Sequence, residues 1–216
     1  MRKLIISFYI GSGFVLCFSL YLKPYFMSYP DYNTSLALLK TEGVSAGVLK
    51  HVKAVHRFSV IIGKRLIEQG YKVNMPLLEA GALLHDIGRS KTHGLSHAIT
   101  GCEIAERLGL PGDVISIIRN HIGAGITKEE AVERGLPAQD FIPDALEEKI
   151  VAAADNLAFG ENLQTIEQHK KNMLRQGVIE GAERCVTLHR ELSQMCGLDL
   201  DVILSEKRMV ENKSQP

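Results

Sequence analysis

The stretch Gly-Ala-Leu-Leu-His-Asp-Ile-Gly-Arg at residues 81–89 says more about the fold than any other part of this sequence. An apolar run ends in a histidine beside an aspartate, His85 and Asp86, and Gly88 follows two positions later. The apolar residues indicate a buried helix, and the glycine indicates where that helix stops. A histidine and an aspartate after a buried run are costly to keep without partners. A divalent cation offsets that cost, so the rest of the chain is expected to supply further metal ligands.

Length and composition indicate one full domain with extensions. The chain has 216 residues and is 45% hydrophobic, which is enough for a sizeable core. Lysine plus arginine equals aspartate plus glutamate, at 25 each, so the formal net charge is zero. This balance argues against a protein held on nucleic acid by bulk electrostatics, although it leaves room for a local basic pocket. The four cysteines contain no CxxC pair, and we expect them to be reduced: Cys17, Cys102, Cys185 and Cys196.

The first 26 residues differ from the rest. Arg2 and Lys3 precede an almost uncharged run at residues 4–22, close to the roughly 20 residues that cross a bilayer. Residues 1–26 are therefore interpreted as a hydrophobic N-terminal segment that is a membrane anchor or an uncleaved signal. The alternative is a start-site artefact, with translation beginning at Met27. We expect a cytoplasmic protein, attached to the membrane through residues 4–22 if the segment is translated.

The remainder reads as helix after helix, without convincing strand alternation. We predict an all-α domain over residues 30–205 and a flexible tail over residues 206–216. Thr127 with Glu130 three positions later forms the pattern of a capping box at a helix start. The irregular stretch 135–143 is expected to form a pocket rim. The predicted helices cover residues 47–69, 75–88, 96–108, 111–121, 127–134, 145–157, 163–175 and 178–196.

Eight residues of metal-binding type fall in or beside these helices, and their contexts separate them. His51 is on the face of the long helix that can meet the core, and Asp155 lies among alanines, where a carboxylate is not needed for packing. His97 stands four residues before Gly101, on a face that lets another helix approach closely. His121 ends a helix. The full set of candidates is His51, His56, His85, Asp86, His93, His97, His121 and Asp155.

The order His, His-Asp, His, His, Asp resembles the HD-domain superfamily of metal-dependent phosphohydrolases, in its dinuclear branch. The resemblance covers about residues 44–160 and includes small bacterial and archaeal HDIG proteins, among them dinuclear hydrolases of symmetric dinucleoside polyphosphates. It implies an HD-domain helical bundle. It also implies one metal site with Asp86 as the bridge to a second: His51, His85, Asp86 and Asp155 for the first ion, and His97 and His121 for the second.

The ligand types themselves favour transition metals. Imidazole with carboxylate suits Fe, Mn, Co, Ni or Zn better than Mg or Ca, which prefer oxygen. Two such ions bridged by a carboxylate can share a hydroxide nucleophile at neutral pH and neutralise charge on a leaving oxygen. If His97 is instead a surface residue, the site holds one ion.

Basic residues near the pair are candidates for substrate binding. Arg89 and Lys91 follow the His-Asp pair directly, and the resemblance implies a basic residue here for the substrate phosphate. The alternative is a solvated charged turn. Arg119 is a weaker candidate for the same role, and His93 is a candidate general acid for the leaving group. The expected catalytic residues are therefore Asp86, His93, Arg89 and Lys91, with Arg89, Lys91 and Arg119 as substrate-binding residues.

Three functions remain open. The first is a phosphohydrolase that cleaves a phosphoester or phosphoanhydride of a small, nucleotide-like substrate with a metal-bridging hydroxide. The second keeps the ligands but is a di-iron oxygenase, as in some members of the superfamily. The third is a non-catalytic nucleotide-binding regulatory module, which has no reason to keep every ligand. The apolar positions between Leu163 and Cys196 suit either core packing or a homodimer contact.

Overall fold

The computed structural model describes residues 3–10, 14–21 and 28–213, with side chains from 28 to 206. The described chain is mostly helical, as predicted. The α-helices are α1 (Tyr32–Thr41), α2 (Ala46–Glu68), α3 (Met75–Leu84), α4 (His97–Leu108), α5 (Gly112–Asn120), α6 (Lys128–Glu133), α7 (Leu146–Asn156), α8 (Ile166–Arg175), α9 (Ile179–Cys196) and α10 (Leu200–Lys213). A 3₁₀ turn, Ile87–Ser90, lies between α3 and α4.

Near the N-terminus, strand β1 (Lys3–Ile10) pairs with strand β2 (Phe14–Tyr21) in antiparallel register. These strands lie in the hydrophobic N-terminal segment, outside the predicted all-α domain, and their β-branched and aromatic residues favour extended backbone. Within the described residues, no helix is both long and apolar enough to cross a bilayer. The membrane anchor and the alternative start at Met27 stay predictions.

The helix that carries the His-Asp pair ends earlier than predicted. The sequence predicts a helix through Gly88, whereas α3 ends at Leu84 and His85 caps it. The amide of His85 still donates to the carbonyl of Gly81 at 2.8 Å. Asp86 then leaves helical geometry, at φ −100° and ψ 16°. This change of direction lets the two side chains reach different parts of the same site.

Other boundaries differ at the ends of the predicted domain. A short antiparallel hairpin, β3 (Ala158–Phe159) with β4 (Asn162–Leu163), stands where the sequence predicts the start of a helix. Helix α8 begins only after Thr165, whose side chain caps it. Helices α1 and α10 were not predicted, and α10 carries helical backbone through residues 206–213 of the predicted tail. The predicted capping box of α6 is present.

Helix α3 is the centre of the core. From Leu77 to Leu84 every residue except Glu79 is buried, and the helix packs against α1, α2, α5 and α7. Helix α2 contributes one continuous apolar face, and α7 contributes three consecutive buried alanines, Ala152 to Ala154. These small residues let α7 lie close to its neighbours, so the carboxylate of Asp155 can reach the core side of the helix. The buried residues of the α2 face are Val52, Val55, Phe58, Ile62 and Leu66.

Two glycines set the distances between the elements that carry the ligands. A Cβ at Gly81 would overlap the Ile117 side chain, so α3 and α5 approach closely there. A Cβ at Gly88 would overlap the carbonyl oxygen of His97 and lie 2.6 Å from the amide nitrogen of Gly101. The 3₁₀ turn therefore rests directly on the backbone of α4. This contact fixes Asp86 relative to His97.

Replacing Gly88 by alanine is expected to destabilise the protein by about 3 kcal/mol, because the overlap is with backbone that cannot turn aside. The matched control is Gly112→Ala, where a Cβ meets nothing within 4 Å. That variant should stay within about 0.5 kcal/mol of the parent. Urea unfolding of the three proteins provides the measurement, and equal midpoints for Gly88→Ala and the parent would contradict the close approach.

Candidate metal centre

Six side chains converge between the central helices, and most of them stand at helix ends. The positions are His51 within α2, His85 at the end of α3, Asp86 before the 3₁₀ turn, His97 at the start of α4, His121 at the end of α5 and Asp155 within α7. Four of them are almost completely buried: His85, Asp86, His97 and His121. These are the six ligands that the sequence predicts, and the structure places them in one cluster.

Each of the four imidazoles is oriented by a backbone carbonyl. In three cases the acceptor lies three residues earlier: His85 Nδ1 donates to Ala82 (2.8 Å), His97 Nδ1 to Gly94 (2.7 Å) and His121 Nδ1 to Ile118 (2.8 Å). The Nδ1 of His51 donates to the carbonyl of Gly160, between β3 and β4, at 3.2 Å. Because a carbonyl only accepts, Nδ1 carries the proton in every ring. The Nε2 lone pairs are thereby turned into the cluster, as in metal-binding histidines.

The two oxygens of Asp86 face two different pairs of imidazoles. Asp86 Oδ2 lies 3.8 Å from the Nε2 atoms of both His51 and His85. Asp86 Oδ1 lies 3.2 Å from His97 Nε2 and 3.5 Å from His121 Nε2. One carboxylate therefore separates two groups of nitrogen donors.

Asp155 completes the first group. Its Oδ1 lies 2.8 Å from His51 Nε2 and 3.7 Å from His85 Nε2. The ligand atoms of His51, His85 and Asp155 all lie within 4.8 Å of one another, as do those of His85, Asp86 and His121. Distances of this size leave room for an ion between the donors and suit coordination bonds of about 2.0–2.2 Å.

The cluster keeps both carboxylates ionised. Burial favours the neutral form of Asp86, but the imidazoles of His85, His121 and His97 hold the pKa of Asp86 well below its ordinary value. Burial alone would likewise lower the pKa of His51, whereas its hydrogen bond to Asp155 raises it to about 9. The complete burial of His85 lowers its pKa to about 4. His85 is therefore a neutral donor at pH 7.

Several polar atoms of the cluster fit a cation better than they fit one another. Among the described side chains, His85 Nε2 and Asp86 Oδ1 are buried without a hydrogen-bond partner. The Nε2 atoms of His97 and His121 are 2.9 Å apart, although both rings already carry a proton on Nδ1. At most one further proton can lie between them. A metal ion would satisfy all four of these atoms, so the residues present fit the metal that the sequence predicts.

The predicted basic residues separate clearly in the structure. Arg89 Nε donates to Asp86 Oδ2 at 2.6 Å, and its Nη1 donates to the carbonyl of His93 at 3.3 Å. His93 is exposed and does not line the cavity beside the metal cluster. Lys91 is turned outward, with Nζ 3.2 Å from the carbonyl of Glu42. Arg119 is also absent from the cavity lining, since it lies beside the Cys102 thiol between α4 and α5.

A cavity of about 450 Å³ opens beside His51, Asp155 and Arg89. Residues 122–126, the β3–β4 hairpin and the facing sides of α8 and α9 form its other walls. The stretch 135–143, predicted as a pocket rim, does not line this cavity. Instead Phe141 is buried and pairs its backbone with Ile126, which supports the wall from behind.

The cavity wall contains polar residues that the sequence did not single out. His169 and Asn172 line it from α8, and Gln164 lines it from the residue that follows β4. The Nε2 atom of His169 is buried and has no hydrogen-bond partner among the described side chains. Its one ring contact is between Nδ1 and Gln164 Nε2 at 3.4 Å. An isolated histidine on a polar helix carries no sequence signal for such a role, because the hairpin that brings α8 to the cavity was not predicted.

A third group of His and Asp side chains lies away from the cavity. His189 is 5% exposed, with Nε2 3.4 Å from Asp201 Oδ1 and 3.9 Å from Asp199 Oδ1. The Asp199 carboxylate also accepts from the amide of Asp201 at the start of α10. The Asp201 carboxylate accepts from the amide of Ile166 at the start of α8. These contacts explain the group as a link from the middle of α9 to the starts of α8 and α10.

The family of this chain follows from a direct match. A model of the HD domain matches residues 48–160, which is more than half of the chain. The chain therefore belongs to the HD-domain family, and the predicted family is confirmed. HD domains bind divalent metals, in agreement with the donor set described above.

Parts of three other proteins are similar in sequence to this chain. The chain is 42% identical over 174 residues to a tRNA (cytidine(56)-2′-O)-methyltransferase of Thermoplasma volcanium, across 81% of this chain and 50% of that protein. It is 47% identical over 130 residues to an uncharacterised protein of Methanocaldococcus jannaschii, across 60% of this chain and 76% of that protein. Ribonuclease Y of Thermosipho melanesiensis is 31% identical over 125 residues, across 56% of this chain and 21% of the enzyme. The chain thus spans about half the length of the methyltransferase relatives that it matches.

The fold is also found in a solved structure. The HD domain of the L. monocytogenes phosphodiesterase PgpH in complex with cyclic-di-AMP aligns with a TM-score of 0.52 and 16% identity, covering 83% of this chain and 98% of the domain. At this identity the likeness shows the fold, and it confirms the predicted helical architecture.

The number of bound ions is expected to depend on which of the two groups of ligands around Asp86 is altered. The variant Asp86→Ala should lose both ions, because each group of nitrogens then lacks its shared carboxylate. The variant His97→Ala should retain one ion per chain. His56→Ala is the matched histidine control, since His56 contacts Glu79 at 3.4 Å outside the cluster, and it should keep both. Elemental analysis of the desalted proteins measures the ratios. Unchanged metal content in His97→Ala would contradict a second ion.

Proposed function

We propose that this protein is a dinuclear metal phosphohydrolase that cleaves a phosphoester or phosphoanhydride of a nucleotide-like substrate. His51, His85, Asp86 and Asp155 would hold the first ion. His97 and His121 would hold the second, with Asp86 shared between them. The observation that carries the proposal is the placement of the two Asp86 oxygens against two separate pairs of imidazoles.

The chemistry needed for phosphoryl transfer is mostly positioning and charge neutralisation. Two transition-metal ions bound by these residues would supply Lewis acidity and activate water at neutral pH. The chain itself contributes a largely buried cluster in which charges interact more strongly than in bulk water. The carbonyls that hold the four Nδ1 protons keep the donors in place, so little reorganisation is needed during the reaction.

Arg89 is the residue best placed to hold the substrate phosphate. Two of its guanidinium nitrogens are held by Asp86 and the His93 carbonyl, which fixes the plane of the group. Arg89 lines the cavity, and the guanidinium has five donors in all, so donors remain for a phosphate oxygen. The cavity of about 450 Å³ is within the range of small-molecule sites, about 300–1,000 Å³.

The names of the relatives support a substrate derived from nucleotides. The methyltransferase is named for tRNA and ribonuclease Y for RNA cleavage, and the PgpH domain was solved with a cyclic dinucleotide. The chain matches only half of the methyltransferase, so the name of that relative does not assign methyl transfer to the matched half. The His-Asp cluster favours hydrolysis of a phosphate bond instead. Nothing in the described residues favours the oxygenase or the regulatory module over it.

The protein is expected to hydrolyse phosphate esters when loaded with a transition metal. A screen with Mn, Co, Ni, Fe and Zn should cover p-nitrophenyl esters, mononucleotides, dinucleotides and 2′,3′-cyclic phosphates. Release of phosphate or nitrophenol, and formation of cleaved or ring-opened nucleotides measured by chromatography, should be equal with and without dioxygen. Turnover that requires dioxygen would favour the oxygenase. Two bound ions with no turnover in any metal would favour the regulatory module.

Substitution of Arg89 tests the proposed binding of the substrate phosphate. The variant Arg89→Ala should lower kcat/KM about 100-fold, because a fixed cationic donor to the phosphate is lost. Arg107→Ala is the control, since Arg107 forms a surface ion pair with Glu42 at 2.7 Å. Metal content must be measured in parallel, because Arg89 also contacts Asp86. Full activity in Arg89→Ala with normal metal content would remove Arg89 from substrate binding.

A further inference from the structure

A second hollow lies next to the metal cavity and shares part of its wall. Its volume is about 390 Å³, against about 450 Å³ for the cavity at the metal cluster. Phe159, Gln164 and Asn172 line both. A ligand that enters beside Arg89 can therefore continue past these three side chains without leaving the protein surface.

The hollow is lined on one side by a single face of α8. The residues Gln168, Lys171, Asn172 and Arg175 recur at helical spacing and all point to it. Lys171 and Arg175 are exposed, and no ion pair engages either of them among the described side chains. Their neighbour Lys170 points elsewhere and pairs with Glu183 at 2.9 Å. Two cations four residues apart lie on the same face of a helix and repel each other, so an anion in the hollow would be attracted to both.

Phe159 lines both the cavity beside the metal cluster and the hollow that contains the two cations. Its side chain is 67% exposed, more than any other large hydrophobic side chain in the described part of the chain. The hairpin that carries Phe159 is held in place, because the backbone amide of Gln164 donates to the carbonyl of Leu157 at 2.9 Å. An exposed aromatic residue alone needs no explanation. A fixed one at the mouth of a phosphate cavity, beside two cations, has the composition of a platform for stacking a nucleobase.

We propose that the hollow bounded by Phe159, Lys171 and Arg175 is a second nucleotide subsite, so that the substrate contains at least two nucleosides joined through phosphate. This inference rests on the proposed function. The scissile phosphate lies at Arg89 and the metal cluster, the adjoining base stacks on Phe159, and the next phosphate lies against Lys171 and Arg175. The same chemistry is presented by a linear dinucleotide and by the end of a single-stranded oligonucleotide.

The test compares substrates with and without a second nucleotide, using the full-length, metal-loaded protein. The substrates are bis(p-nitrophenyl) phosphate, adenosine monophosphate, the linear dinucleotide pApA and a short single-stranded oligoadenylate. Phe159→Ala and the double variant Lys171→Ala/Arg175→Ala are compared with Lys170→Ala as the matched control on α8. KM and kcat are measured at two salt concentrations.

Both subsite variants should raise KM for pApA about tenfold, since stacking on an aromatic side chain is worth roughly 1–3 kcal/mol per base. Constants for the p-nitrophenyl ester should change less than about twofold, as should all constants of Lys170→Ala. The double variant should also lose part of the salt dependence. A larger KM change for the oligonucleotide than for pApA would identify the end of an oligonucleotide as the substrate. Equal KM changes would identify the linear dinucleotide as the substrate.

Different failures identify different errors. If the p-nitrophenyl ester is hydrolysed but the variants bind pApA like the parent, the subsite is wrong and the phosphohydrolase stands. The subsite is equally wrong if Lys171→Ala/Arg175→Ala raises KM for adenosine monophosphate, which has no second phosphate, as much as it raises KM for pApA. If no substrate is hydrolysed in any metal, the proposed function fails, and the subsite fails with it.

Discussion

The carboxylate of Asp86 is 2% exposed, and burial of an ionised carboxylate costs several kcal/mol unless partners offset it. The guanidinium of Arg89 and the surrounding imidazoles provide those partners in the protein alone. The position of this carboxylate depends in turn on the early end of α3 and on the contact of Gly88 with α4. The central helices, the ligand cluster and the cavity beside it are thus arranged around one costly charge.

Helical spacing and residue chemistry were sufficient to predict which side chains converge. His51 lies on the core face of a long amphipathic helix, as its spacing predicts. Asp155 lies among buried alanines, where a carboxylate is not needed for packing. The order of the six residues resembles that of the HD domain, and this resemblance made His97 and His121 candidates despite their distance along the chain. Membership of the family and the helical architecture are confirmed by the family match and the solved relative.

The sequence was less informative wherever the chain leaves a helix. Lys91 follows the His-Asp pair but turns outward, because the direction of a side chain after a 3₁₀ turn is not set by helical period. The β3–β4 hairpin is too short to show alternation, so neither Phe159 nor the approach of His169 to the cavity could be inferred. The N-terminal strands show the same limit, since an uncharged run suits a membrane helix and a β-hairpin equally well.

The hydrogen bond from His51 to Gly160 joins two parts of the molecule that chemistry would otherwise keep separate. Gly160 follows Phe159 in the hairpin, so a ligand that shifts the hairpin also shifts the acceptor that orients a metal ligand. Thermodynamic linkage makes such an effect reciprocal, because each ligand must change the affinity of the other by the same factor. A surface hairpin of a few residues can in this way act as an allosteric element, and ion occupancy can depend on whether a substrate is present.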